Sequence, residues 1–335
     1  MKREDLILQA KEVAVGYHKG KNIHWVARDL TFSLHTGQLA CLLGPNGVGK
    51  STLIKAIMGQ KLPVDGEILY QGQPIQKLGA REMATKVSVV LTDRISPGNL
   101  NVRHLVGLGR TPFTNWLGNL AEEDEKAIDQ AIASTNIGYL KDKKVAELSD
   151  GQLQKVMIAR ALAQDGQLMI LDEPTAHLDL INRMEIMQLL RDIAHSQQKA
   201  VLVVTHDLDI AVDTADTFLL MPCGGRMISG TPEDMIVSGE INKLLPHGKY
   251  QFDLVTGKIR SNIPYDYTQI KGSVEVAKWL TLALRKSRLP LKENIQIMVQ
   301  KDPLSFMVED NGKRSHFTTI QDVVNHFRSQ HQSTG

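Results

Sequence analysis

The chain has 335 residues, 42% of them hydrophobic, and a formal net charge of +2. That is ample for a sizeable core, too long for one typical domain, and too nearly neutral to provide a strong field for nucleic acid. Cys41 and Cys223 are its two cysteines, which excludes a disulfide scaffold and points to a reducing compartment. The opening MKREDLILQA lacks the apolar core of a signal peptide, and no apolar run reaches bilayer-spanning length. We therefore expect a cytosolic protein whose membrane role, if any, comes through a partner.

In chain order, EVAVGYH and ARDLTFSL alternate as antiparallel strands within the first forty residues. Continuous apolar runs follow at 38–44, 86–91, 167–174 and 199–207, separated by helical segments such as STLIKAIMG and RMEIMQLLRDIAHS. Strands buried on both faces and alternating with helices predict a mainly parallel α/β sheet. Residues 93–160 are mostly helical in pattern and interrupt the strands as an insertion. Within ELSDGQLQKV, Ser149 is a helix-cap residue leading into Val156, Ile158, Ala159 and Leu162. TFLLMPCGGRMISG reads as a hairpin turned at Gly224–Gly225, and TPEDMI opens a helix with proline in its first turn.

Past residue 245 the pattern restarts. A hairpin (YQFDLVTGKIR), a helix (SVEVAKWLTLALRKSR), strands joined at Asn311–Gly312 and a last helix near Thr319 predict a small α+β domain over 246–335. The expected division is thus 1–245 and 246–335. The stripe Val276, Ala277, Leu280 and Leu284 is read as that domain's own core.

Chemistry concentrates in three places. GPNGVGKST follows a strand and opens a helix, the context that a phosphate-binding loop requires. Gly44, Pro45, Asn46, Gly47, Val48 and Gly49 let backbone N–H groups turn inward, and the helix start adds positive potential. Lys50 supplies a charge to β- and γ-phosphates, Ser51 a hydroxyl to Mg²⁺, and Thr52 a hydrogen bond to a phosphate. LMILDEP ends a strand in adjacent carboxylates: Asp172 is placed to hold Mg²⁺ through its water shell, and Glu173 to orient or deprotonate the attacking water. VVTHD ends another buried strand, where His206 could reach a γ-phosphate and steady Glu173.

A phosphate loop, then LSDGQ, LMILDEP, HLD and THD, in this order, resembles the ATP-binding cassette family of transport ATPases over roughly residues 6–240. The resemblance implies a homodimer with two ATP molecules sandwiched between subunits. Ser149, Gly151 and Gln152 of one subunit would then face the γ-phosphate held by the other. It further implies that Tyr17 stacks on adenine and that Leu178 and Asp179 lie in the loop linking the two sites. Asp150 stands where the family usually has Gly. Thr92 aligns with a Gln that normally touches Mg²⁺, with Asp93 as a possible substitute.

NVRHLVGLGRTPFTNWLG is similar to the corresponding stretch of importers for iron-siderophore complexes, haem and cobalamin. By that likeness the protein is a Mg-ATPase at the cytoplasmic face of the cell membrane. It would be peripheral through permease subunits, served indirectly by an extracytoplasmic substrate-binding protein, and without a nucleic-acid partner. Two alternatives remain open on the sequence: a soluble cassette protein without a transport role, and an ATP-dependent dimerising regulatory module. The 246–335 tail is given no function.

Overall fold

A computed structural model describes residues 5–19, 22–91, 99–115, 118–246, 248–254, 257–261, 267, 269–291 and 294–332. The chain separates into two compact units, Met1–Arg260 and Ser261–Gly335.

The first unit begins with two long strands, β1 (Leu6–Lys19) and β2 (Asn22–His35), paired antiparallel. The alternation predicted for them holds, with Leu30, Phe32 and Leu34 inward on β2. Then come β3 (Gln38–Leu43), α1 (Lys50–Ile57), β4 (Asp65–Tyr70), β5 (Gln73–Pro74), α2 (Ala80–Lys86) and β6 (Val87–Val90). A helical stretch follows, comprising α3 (Val102–Gly107), α4 (Glu122–Ser134) and α5 (Asp150–Ala163). The alternating strands and helices resume with β7 (Leu168–Asp172), α6 (Leu180–Gln197), β8 (Ala200–Val204), α7 (Leu208–Thr214) and β9 (Thr217–Leu220). The unit ends with β10 (Ile228–Gly230), α8 (Pro232–Val237), β11 (Tyr250–Asp253) and β12 (Lys258–Ser261).

Among the described residues, β2-β1-β4-β5 form an antiparallel sheet and β10-β9-β3-β8-β7-β6 a second sheet. Strands β9, β3, β8, β7 and β6 of the second sheet run parallel, and β10 closes its edge antiparallel to β9. Period-two alternation sorts its side chains. Leu39, Cys41, Leu43, Met169, Leu171, Val201 and Val203 enter the core shared with α3–α6. Ala40, Leu42, Leu168, Ile170, Leu202 and Val204 enter the core shared with α1 and the antiparallel sheet. In register, Leu42 and Asp172 both oppose Val204, so β3, β7 and β8 end together at one rim.

The helical stretch is pinned by the Gly-Arg pair that the sequence singled out. A Cβ on Gly109 would come 2.2 Å from the Arg160 carbonyl oxygen, so only glycine fits against α5. Arg110 is buried; its Nε donates to Asp124 Oδ1 at 2.7 Å and its Nη1 to the Ala163 carbonyl at 2.9 Å. Its guanidinium also lies 3.8 Å from the centre of the Phe113 ring. Asp124 Oδ2 in turn accepts from the Ala121 N–H at the start of α4.

The second unit holds β13 (Ile270–Gly272), α9 (Val274–Lys286), β14 (Ile295–Gln300), β15 (Ser305–Asp310), β16 (Lys313–Phe317) and α10 (Ile320–Gln332). Its sheet runs β13-β14-β15-β16, and Leu280, Leu284, Val323 and Phe327 pack on Ile295, Ile297, Val299, Phe306 and Val308. The turn at Asn311–Gly312 and the Thr319–Asp322 cap fall where the sequence placed them. The unit boundary lies at 260 rather than the expected 245. The β11–β12 hairpin belongs with the first unit because Phe252 is buried in its core and the Phe252 N–H donates to Asn242 Oδ1 at 2.7 Å. No helix among the described residues is long and apolar enough to cross a membrane.

Candidate nucleotide-binding site

The common rim of β3, β7 and β8 places three sequence motifs side by side. Residues 44–49 leave β3 and enter α1, whose N-cap is Gly49 at φ 112°. A Cβ there would meet Val26 Cγ1 at 2.7 Å, and one on Gly44 would meet the Met221 carbonyl at 2.7 Å, so both glycines let backbone pass where a side chain cannot. Gly47 also has a positive φ, Val48 is buried, and Asn46 and Ser51 are exposed at the mouth beside Pro45.

Lys50 is the one cation buried in this loop, and its Nζ donates to the Gly44 carbonyl at 2.7 Å and the Pro45 carbonyl at 3.1 Å. Burial pushes its ammonium below the ordinary lysine range, while the nearby Glu173 and Asp172 carboxylates pull it back up. The loop therefore holds a cation against its own carbonyls with two anions facing it. Thr52 Oγ1 shares a 3.2 Å hydrogen bond with the Tyr17 hydroxyl, which lowers the Tyr17 phenol from its usual range. Tyr17 is half exposed, and Lys61 Nζ lies 3.2 Å from its ring centre.

Glu173 follows β7 with φ 52°, a left-handed conformation uncommon outside glycine and asparagine. Its N–H donates to the Val204 carbonyl at 2.9 Å, which locks the turn to the end of β8. That conformation carries the carboxylate toward His206, whose Nδ1 lies 2.7 Å from Glu173 Oε2. Strained backbone over-determined by its surroundings is the kind of cost that sites of chemistry carry.

The LSDGQ segment forms a cluster of its own. Ser149 Oγ accepts from the Gln152 N–H at 3.3 Å, and Gln152 Oε1 accepts from the Ser149 N–H at 3.2 Å, a reciprocal capping box at the start of α5. A Cβ on Gly151 would lie 2.6 Å from Asn182 Oδ1. Asn182 is held by Asp179, which accepts its backbone N–H at 2.9 Å and its Nδ2 at 2.7 Å. These bonds, backbone first, hold the Asp179 carboxyl below the usual range. The partners of this cluster lie on α6, while Lys50, Asp172, Glu173 and His206 gather at the strand rim. Thr92 and Asp93 lie outside the described residues.

Two groups here escaped the sequence reading. Asn182 explains why position 151 is glycine within a single chain, and Asp207 binds Thr175 and Arg183. An Asp directly after a strand-end His was the available signal, and an Asp there reads first as a helix cap.

Residues 27–176 match the family model described as ABC transporter. The chain is 37% identical over 238 residues to an uncharacterized ABC transporter ATP-binding protein of Methanocaldococcus jannaschii, covering 71% of this chain and 81% of that one. It is 33% identical over 271 residues to the iron(3+)-hydroxamate import ATP-binding protein of Bacillus subtilis, covering 80% and 98%. The solved structure of cbiO1 from Clostridium perfringens, part of an ABC transporter complex, aligns with a TM-score of 0.63 and 31% identity, over 72% of this chain and 97% of that one.

Proposed function

The chain belongs to the ABC transporter ATP-binding proteins, binds ATP and hydrolyses it, and from that premise we propose that it powers a membrane importer for a metal chelate as a homodimer. The observation that carries the hydrolytic half is the meeting of Lys50, Asp172, Glu173 and His206 at one strand rim. In this reading the backbone of 44–49 and the Lys50 charge hold the triphosphate, Thr52 bonds a phosphate oxygen and Tyr17 supports the adenine. Glu173 orients the attacking water and takes its proton, and His206 steadies that carboxylate beside the γ-phosphate.

The donor set suits Mg²⁺: a serine hydroxyl at the helix start and a carboxylate at the end of β7 are hard oxygen ligands that leave room for waters. Ser51 and Asp172 would hold the ion, which would offset negative charge on the triphosphate.

Homodimerisation is inferred from the separation of the two clusters. The Ser149 tip is anchored to α6 through the Gly151–Asn182 contact, and in this reading the dipole at the start of α5 supplies an anion site. A second copy related by a twofold axis would bring that tip onto the phosphates and complete each site. The hydrolytic pair at the rim argues against a module that only binds ATP.

The importer reading rests on the relative from Bacillus subtilis, named for iron(3+)-hydroxamate import, and on a cleft of about 610 Å³ lined by Met58, Leu78, Met83, Val89, Leu91 and Met157. Methionine-rich apolar grooves suit an inserted amphipathic helix, here one from a permease subunit. The protein would then sit at the cytoplasmic face of the membrane, served by an extracytoplasmic binding protein that it never touches. Iron-siderophore, haem and cobalamin complexes are the cargo class.

A Glu173→Gln variant with MgATP, examined by light scattering after size-exclusion chromatography, should run as a dimer and return to a monomer when ATP is removed. A monomer at saturating MgATP would end the sandwich reading. Copurification of the tagged wild-type protein with a multi-span membrane protein tests the importer half.

A further inference from the structure

We infer that Asp207 is a positioning residue for hydrolysis, holding the His206–Glu173 pair in register and tying it to the loop that carries Asp179. The inference rests on the proposed roles of Glu173 and His206.

Two hydrogen bonds and one close approach, taken in chain order as three rungs, join the loop after β7 to the loop after β8. The first is the Glu173 N–H to the Val204 carbonyl at 2.9 Å, and the second is the 2.7 Å approach of His206 Nδ1 to Glu173 Oε2. The third is Thr175 Oγ1 donating to Asp207 Oδ2 at 2.8 Å. The middle rung is the reactive one, and the weakest held. The His206 side chain is 65% exposed, so packing does little to fix the imidazole. Its aim depends on the backbone at 206, which is gripped by the next residue along.

Asp207 occupies the N-cap position of α7, yet its side chain makes no capping hydrogen bond. An aspartate there normally stabilises the helix by accepting a first-turn N–H. Here the carboxylate is directed away from its own helix. One oxygen takes the hydroxyl of Thr175, a fully buried side chain two residues past Glu173. The other faces Arg183 Nη1 at 3.3 Å. Arg183 completes a fork, its Nε donating to the Leu178 carbonyl at 2.7 Å. The Asp207 N–H is itself fixed, donating to Thr205 Oγ1 at 3.0 Å. A single mostly buried carboxylate therefore joins the His206 loop, the Glu173 turn and the loop before α6.

A plain structural ion pair would be equally at home with the Asp207 side chain 17% and the Arg183 side chain 35% exposed, but its loss would appear in folding and not selectively in turnover. Positioning predicts the opposite split. Asp207→Asn keeps a hydrogen-bonding group of the same shape and removes the charge that orients Arg183. Its kcat for ATP should fall about 10- to 100-fold with ATP affinity within about threefold of wild type. In a His206→Ala background the same substitution should cost little more, because the two act through one group. Arg183→Lys, which keeps the charge and loses the fork, should fall between wild type and Asp207→Asn.

The experiment is steady-state ATPase kinetics, equilibrium ATP binding and thermal unfolding on the full chain for these variants, with Glu173→Gln and His206→Ala alongside. Wild-type kcat in Asp207→Asn, or a loss that is additive with His206→Ala, overturns the inference. If Asp207→Asn does not fold, Arg183→Lys and Thr175→Val carry the same comparison. Retained turnover in Glu173→Gln and His206→Ala would instead overturn the roles on which the inference stands.

Discussion

His206 Nδ1 stands 2.7 Å from Glu173 Oε2, joining an imidazole that is mostly in solvent to a carboxylate that is mostly sheltered. In the proposed mechanism the sheltered member would meet water at the phosphate, and the exposed member would adjust to the γ-phosphate. This division of labour follows from a left-handed turn at Glu173 and from the common end of β7 and β8.

His206→Ala should lower kcat for ATP about 100-fold or more and leave ATP binding close to wild type. Steady-state kinetics paired with equilibrium binding checks it. A proportional loss of affinity would place His206 in ground-state binding instead.

Tyr17 offers two separable contributions, a ring face and a hydroxyl bound to Thr52. Tyr17→Phe keeps the ring and should raise the Kd for ATP by no more than about fivefold, the worth of one hydrogen bond. Tyr17→Ala should raise it about 5- to 100-fold if the ring stacks on adenine. Equal effects in titrations of the two variants would leave the hydroxyl, not the ring, as the contributor.

Gly151→Ala places a methyl group 2.6 Å from Asn182 Oδ1, so Asn182 must leave Asp179 or the helix tip must move. ATP turnover should fall at least about tenfold, and Asn182→Ala in the same chain should restore part of it. A double-mutant cycle on kcat measures this, with no recovery counting against the contact.

The Arg110–Asp124 pair predicts a pH-dependent stability. The Ala121 N–H, and then Arg110, hold the Asp124 carboxyl below its ordinary value. A carboxyl lowered by folding adds stability above the unfolded-state value near about 4, and that stability is lost as pH falls through the lower folded-state value. Asp124→Asn should therefore cost about 3 kcal/mol at pH 7, because it leaves a buried guanidinium without its counter-charge. The gap between wild type and variant, followed by thermal or denaturant unfolding, should narrow as pH is lowered below about 4.

Much of the first unit is legible in local pattern. Apolar runs separated by helical periods give the parallel strands, and strand, glycine-rich loop and helix in succession give the phosphate cradle. Gly-Arg at 109–110 is visible as a motif, but its cause is not. The contact between Gly109 and the Arg160 carbonyl joins residues far apart in sequence, and only packing of α3 onto α5 creates it. The unit boundary departs from the expected 245 for a similar reason. The β11–β12 hairpin carries no local mark of ownership, and burial of Phe252 decides it.

By itself the sequence determined which chemical groups the protein owns and in what order. Periodicity and motif spacing are short-range properties, and Lys50, Asp172, Glu173 and His206 each sit in a window that declares strand end or helix start. Tertiary structure alone decided which of them meet. A buried strand such as AVLVV is apolar on both faces, so nothing within it says which neighbour it joins or in what register. Only the pairing of β3, β7 and β8, with Leu42 and Asp172 both opposite Val204, turns three separate strand ends into one rim. The same assembly sends the Asp207 carboxylate to Thr175 and Arg183 instead of its own helix, a choice made by neighbours that local sequence cannot see.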